Sequence, residues 1–188
     1  MPSLPLEPDL IAARFSPDGQ WILTHSSGAG FEPQSAILRS LKTLQPVGLP
    51  LRQDDGVSAA CFSRDGRRVA TGGEDGVARV WSVPGGDPLT PPMRHGSTVS
   101  LLAFGSEGRI LATATSVGDV RLWDARTGEP LMPVRHHEGG VAAMSFVEGG
   151  PGFLVLGRGG VLHRWDCSPA LTPVLEMERI STRLNGSR

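Results

Sequence analysis

The sequence predicts an all-β protein assembled from repeated four-stranded antiparallel units, and three observations predict it. Aromatic residues recur at a fixed interval: Phe62, Phe104 and Phe146 every 42 residues, and Trp81, Trp123 and Trp165 at the same step. Asp-Gly pairs separate short apolar runs, which is the turn chemistry of hairpins. Prolines gather in one segment of each repeat, as expected of a strand that is unpaired on one side. A fixed period of this length sets the architecture before local propensity is read.

Taken in order, residues 1–9 are proline-rich and read as a loose lead-in. The first unit, 10–53, opens with LIAARFSPDGQWILTHSS, in which Phe15 and Thr24 each lie 47 residues ahead of Phe62 and Thr71. Its back half, SAILRSLKTLQPVGLPL, alternates like two strands, with Arg39 or Ser40 where a tryptophan is expected and extra residues at 28–33 absorbing the change in spacing. The second unit, 54–95, has a β-rich run at 57–62 and a turn around Asp65-Gly66. A short strand at 69–71, a tight turn at Glu74-Asp75-Gly76 and a third strand at 77–83 follow. PGGDPLTPPMRH then reads as an outer edge whose prolines also guard against pairing with other chains. The third unit, 96–137, repeats this plan with Pro130 and Pro133, and the fourth, 138–176, with Pro169 and Pro173. Thr172 to Glu176 is its expected last strand. In the tail, 177–188, Met177, Ile180 and Leu184 allow a short amphipathic helix, although a frayed terminus is the simpler expectation.

Four antiparallel strands, innermost apolar and outermost proline-rich, describe one blade of a β-propeller, so the chain holds about four blades of a partial or small propeller. At this point it resembles the WD-repeat family. The resemblance rests on Val80-Trp81-Ser82, Leu122-Trp123-Asp124 and Arg164-Trp165-Asp166, and on the turns Asp18-Gly19, Asp65-Gly66 and Asp75-Gly76. His95 and His137 add to it, each four residues before a first-strand valine, Val99 or Val141. The match covers about residues 10–175. It implies a non-catalytic scaffold that binds protein or peptide partners through rim loops. Phrases such as GDPLTPPMRH and GEPLMPVRHHEGGV look most like bacterial members, where such repeats are often appended to serine/threonine kinases. A C-terminal regulatory part of such a signalling protein is the alternative.

The resemblance also implies a blade-locking network of histidine, threonine, aspartate and tryptophan. The second unit offers Thr71, Asp75 and Trp81, with Gln53 in the histidine column. The third offers His95, Thr113 and Trp123, with Val117 in the aspartate column. The fourth keeps His137 and Trp165 but has Val155 and Gly159 in the other two columns. No unit has the full set, and a partly built buried network is worth less than its parts. The fourth blade is therefore expected to be the least rigid. Family members usually close with about seven blades, within a range of about four to eight. Four blades imply completion by a longer parent chain, a second copy or another protein, with a self-closed ring as the rival.

Other function classes find little support. Net charge is −1, which gives no electrostatic case for nucleic acid or an anionic membrane. Lys42 is the only lysine, a bias that points to a GC-rich bacterial genome. Cys61 and Cys167 lack CxxC spacing, so free thiols in a reducing compartment are expected. No apolar run approaches the roughly 18 residues that span a bilayer, and MPSLPLEPDL lacks signal-peptide character. A cytoplasmic protein is expected. His136 and His137 point to opposite sides of a strand, and no carboxylate or cysteine cluster completes a metal ligand set. His25 and His163 stand alone, and the His25-Ser26 stretch lacks a nucleophile elbow. GGEDG and GRGGV lack the Gly-Lys-Ser/Thr of a phosphate loop. No cofactor, metal or catalytic residue is expected. What remains is one rim, carrying Glu74, Ser116 and Arg158 from turns and Asp54, Asp55, Ser97 and Glu138 from linkers, as a partner-binding surface.

Overall fold

The computed structural model describes residues 10–26, 35–105, 107–148 and 152–167. The expected lead-in, the 28–33 insertion, the strand at Thr172 to Glu176 and the tail helix lie outside them. The first unit forms strands β1 (Leu10–Phe15), β2 (Trp21–Ser26), β3 (Ser35–Ser40) and β4 (Leu51–Arg52). The second forms β5 (Val57–Phe62), β6 (Arg68–Gly73), β7 (Val77–Ser82) and β8 (Met93–Arg94). The third forms β9 (Val99–Phe104), β10 (Ile110–Thr115), β11 (Asp119–Asp124) and β12 (Arg135–His136). In the fourth, the described strands are β13 (Val141–Phe146), β14 (Gly152–Gly157) and β15 (Leu162–Asp166). Each unit is its own antiparallel sheet with strands in chain order, a blade of a β-propeller.

The repeat is kept to the level of register. Thr71 pairs with Arg79, Thr113 with Arg121 and Val155 with His163. Arg39 pairs with Ile22 as Trp81 does with Val69, which puts Arg39, not Ser40, in the tryptophan column. Every first strand also carries a register shift at its second residue, a bulge that bends the strand locally. The outer strands are shorter than the sequence suggests. β4, β8 and β12 pair over two residues each, and beyond them only the isolated bridges Arg39–Pro46, Trp81–Pro88 and Trp123–Pro130 continue the edge. Proline has no N–H to give a ladder, so at the prolines the edge continues only as single bridges.

Turn chemistry explains the sharp corners. The Ser63 hydroxyl donates to Asp65 Oδ1 (2.6 Å), which also accepts the Arg67 N–H (3.1 Å), and Gly66 turns back at φ 68°. Ser16 and Asp18 build the same turn in the first blade. At the far end of the second blade's sheet Gly76 adopts φ 70°, in the left-handed region that suits glycine.

Each blade has two faces, and packing uses them consistently. Val69, Trp81 and Phe62 of the second blade lie on Leu23 and Leu38 of the first. Leu111, Trp123 and Phe104 of the third lie on Ala70 and Val80 of the second. Phe153, Val155, Phe146 and Trp165 of the fourth lie on Ala112 and Leu122 of the third. The core is thus three copies of one joint, between sheets that could not bury their own faces. Side-chain hydrogen bonds to backbone carbonyls reinforce it: His25 Nδ1 donates to the Val57 carbonyl (2.8 Å), and Ser58 Oγ donates to the equivalent Val99 carbonyl (2.7 Å) of the next blade.

Gly72 sits where the second and third blades come close. A Cβ there would lie 2.7 Å from Val99 Cγ1 and 2.9 Å from the Val99 carbonyl oxygen. Gly72→Ala is expected to lower stability by about 1–3 kcal/mol, read as a reduced urea midpoint.

Candidate functional site

The chemistry of the molecule gathers at one rim, where the linker into each first strand meets the turn between the second and third strands. The Glu74 N–H donates to the Gly56 carbonyl (3.1 Å), Ser116 N–H to Thr98 (2.9 Å) and Arg158 N–H to Gly140 (3.1 Å). These bonds bring the candidates of each blade together: Asp54, Asp55 and Glu74 in the second, Ser97 and Ser116 in the third, Glu138 and Arg158 in the fourth. Ser97 and Ser116 join directly through their hydroxyls (2.8 Å). All except half-buried Ser97 are exposed.

Beneath the rim lies the network that holds it. In the third blade Trp123 Nε1 donates to Thr113 Oγ1 (2.9 Å), and that hydroxyl lies 2.8 Å from His95 Nε2. The threonine accepts from indole and donates to imidazole, while His95 Nδ1 faces the Gly76 carbonyl (3.3 Å). That order of donors fixes the tautomer, with the proton on Nδ1. The ring also meets Trp123 edge-on at 5.2 Å.

The second blade builds the same relay without histidine. Trp81 Nε1 donates to Thr71 Oγ1 (2.8 Å) and Gln53 Nε2 donates to the same oxygen (3.0 Å). Gln53 also reaches the Val77 carbonyl (3.3 Å) and accepts a hydrogen bond from Arg79. The blade still lacks the histidine, but a carboxamide takes up the imidazole's contact with Thr71 and also accepts from Arg79. Asp75 plays a different part from the one expected. It accepts from the Val77 N–H (2.9 Å) and the Asp54 N–H (3.4 Å), so it orders the rim turn and its linker. In the third blade the Thr115 hydroxyl, accepting from Asp119 N–H (3.1 Å), takes over that capping where Val117 cannot.

The fourth blade leaves the relay broken. Val155 has no hydroxyl, and His137 Nε2 is buried without a hydrogen-bond partner while Nδ1 donates to the Glu138 carbonyl (3.0 Å). His163 fills the arginine column and stacks edge-on against His137 at 4.9 Å. A groove of about 690 Å³ opens here between Arg135, His137, Glu138, His163 and Trp165. His136 is paired to Asp119 Oδ1 (2.8 Å), a contact the sequence did not suggest because the two are 17 residues apart. His25 is held in the joint between the first two blades. Arg121 lies over the Trp123 ring at 5.7 Å, whereas Arg79, its second-blade equivalent, donates to Gln53.

Among the described residues, no three of His, Cys, Asp and Glu come together in a way that could hold a metal ion, and no helix is long and apolar enough to cross a membrane. Cys61 and Cys167 are free thiols. Burial pushes the first up to about 12 and the second to about 11.

Desolvation lowers the His95 pKa from 6.5 to about 4 and lowers that of His25 in the same direction. The unfolded chain then takes up protons in a range where the folded chain does not. The contribution to stability is full above about pH 6.5 and is lost as pH falls towards 4. Urea unfolding across this window is expected to show stability falling with acid, with a shallower slope in His95→Gln, which copies the second blade's side chain. Val155→Thr supplies the missing hydroxyl to His137 and is expected to stabilise the fold by about 1 kcal/mol, seen as a raised melting temperature.

Comparison with known proteins is consistent with this geometry. Residues 47–82 match the family described as "WD domain, G-beta repeat", and residues 77–149 match "Anaphase-promoting complex subunit 4 WD40 domain". No curated protein is similar enough to count as a match. The crystal structure of the computationally designed Ika4 protein superimposes with a TM-score of 0.73 at 22% identity, over 87% of this chain and 95% of that one. That of the computationally designed Ika8 protein gives a TM-score of 0.70 at 21% identity, over 84% of this chain. The match spans 46% of Ika8, just under half its length.

Proposed function

We propose that this chain, a member of the WD-repeat family, is a non-catalytic interaction module that docks a protein or peptide segment on the rim of Asp54, Asp55, Glu74, Ser97, Ser116, Glu138 and Arg158. The observation that carries this reading is the rim itself. Exposed side chains from three successive blades project from backbone turns that are each bonded to the neighbouring linker. Recognition on rigidly held loops costs little ordering on binding. Four of these residues are carboxylates and one is an arginine, so the fitting segment carries lysine or arginine opposite the second blade and an acidic or polar group opposite Arg158. A second reading, as the C-terminal regulatory part of a bacterial serine/threonine-kinase-type signalling protein, is favoured by the outer-strand phrases around 86–95 and 128–141 alone. A cytoplasmic location is proposed on the free thiols.

The test is a peptide selected against the purified chain from a random display library, with affinity measured by fluorescence anisotropy. Glu74→Arg and Asp55→Arg are expected to weaken binding by about tenfold, ~1.4 kcal/mol each, without changing the melting temperature. Peptides whose affinity ignores every rim substitution would refute the reading.

A further inference from the structure

The blade joints identify a second surface, away from the rim. Every joint buries the same two columns, one from each blade. On the face that meets the preceding blade, Phe62, Phe104 and Phe146 are half-buried in the joint clusters. Phe15 occupies that column in the first blade, paired with Ile22 as Phe62 is with Val69. It is 65% exposed. On the face that meets the following blade, Ala36, Ala78 and Val120 are 0%, 0% and 1% exposed. Leu162 occupies that column in the fourth blade, paired with Leu156 as Val120 is with Ala114. It is 60% exposed. Ala143 is exposed and Leu154 half-buried on the same flank, where the equivalents of Leu154, namely Leu23, Ala70 and Ala112, are fully buried.

Among the described residues no blade covers the outer flank of the first blade or that of the fourth, and both exposed flanks belong to the same chain. They are the two halves of the joint that the molecule already makes three times. We propose that two copies of this chain associate head to tail, the flank of Phe15 in each copy receiving the flank of Leu162 from the other, so that two arcs close one ring. Continuity with the existing joints supplies the shape. The flanks are not wholly apolar. Arg164 stands exposed where Leu38, Val80 and Leu122 are buried, and Arg39 replaces the tryptophan of the opposite face. Arginine beside exposed aromatic and aliphatic side chains is interface composition, and it makes the association reversible where the internal joints are permanent. The inference rests on the propeller fold and is independent of rim docking.

Light scattering and sedimentation over a wide concentration range test it. The mass is expected to rise with concentration from 19.9 kDa towards twice that value. Phe15→Glu and Leu162→Glu each place a charge in both joints of the pair, and each variant alone is expected to stay monomeric with an unchanged circular dichroism spectrum. Mixing the two variants leaves one joint with both native flanks, so the mixture is expected to recover a dimer. A chain that stays monomeric at every concentration, as a self-closed ring would, overturns the proposal. So does a dimer that survives either substitution, or a mixture that fails to associate. Rim variants such as Glu74→Arg are expected to leave the mass unchanged, which keeps this test separate from that of partner docking.

Discussion

A four-stranded sheet has two faces and can bury neither against itself, and the structure follows from that constraint. Each blade must lend one face to its predecessor and the other to its successor. The residues that meet this demand recur at one period: phenylalanine, valine and tryptophan on one face, alanine, valine and leucine on the other. The joints are close enough that Gly72 touches the Val99 side chain of the next blade with no room for a methyl group. Because the joint is always the same, whatever lies at the ends of the array inherits faces shaped for a neighbour.

The polar network is subordinate to this packing and tolerant in its details. What the second and third blades share is a threonine hydroxyl placed between an indole N–H and a side chain arriving from the preceding linker. A glutamine or a histidine serves in that last position, since either reaches the hydroxyl from the same depth. The link also ties the linker to the turn beside it, so the rim is held by groups below it. Where the hydroxyl is absent, as at Val155, the imidazole loses its partner and a groove opens beside it. The network thus lies under the rim of the second and third blades, and a groove lies beside its break in the fourth.

Much of this was legible in the chain, and the failures have physical causes. The strands and their order followed from a constant spacing of aromatic residues, and the corners from Ser-x-Asp-Gly chemistry that acts within a few residues. The gathering of Glu74 with Asp54, and of Ser116 with Ser97, followed from the ends of strands lying side by side. The part played by Gln53 did not, because a column comparison reads glutamine as the loss of histidine and cannot see that both side chains span the same distance to Thr71. Asp75 was misread for a related reason: an acidic residue beside a glycine serves its own turn before it serves a distant ring. The pairing of His136 with Asp119 joins two strands whose register is fixed only when the outer edge closes.

The sequence by itself determined the repeat, the strand order, the turns and, outside the divergent first unit, which residues share a column, because these depend on contacts of short range that recur with the period. Only the tertiary structure decided which members of a column are covered. Phe15 and Leu162 belong to the same apolar columns as their buried counterparts and cannot be told from them by residue type or spacing. Their exposure depends on whether another blade arrives from elsewhere to cover them, and burial of that kind is a property of the assembled array.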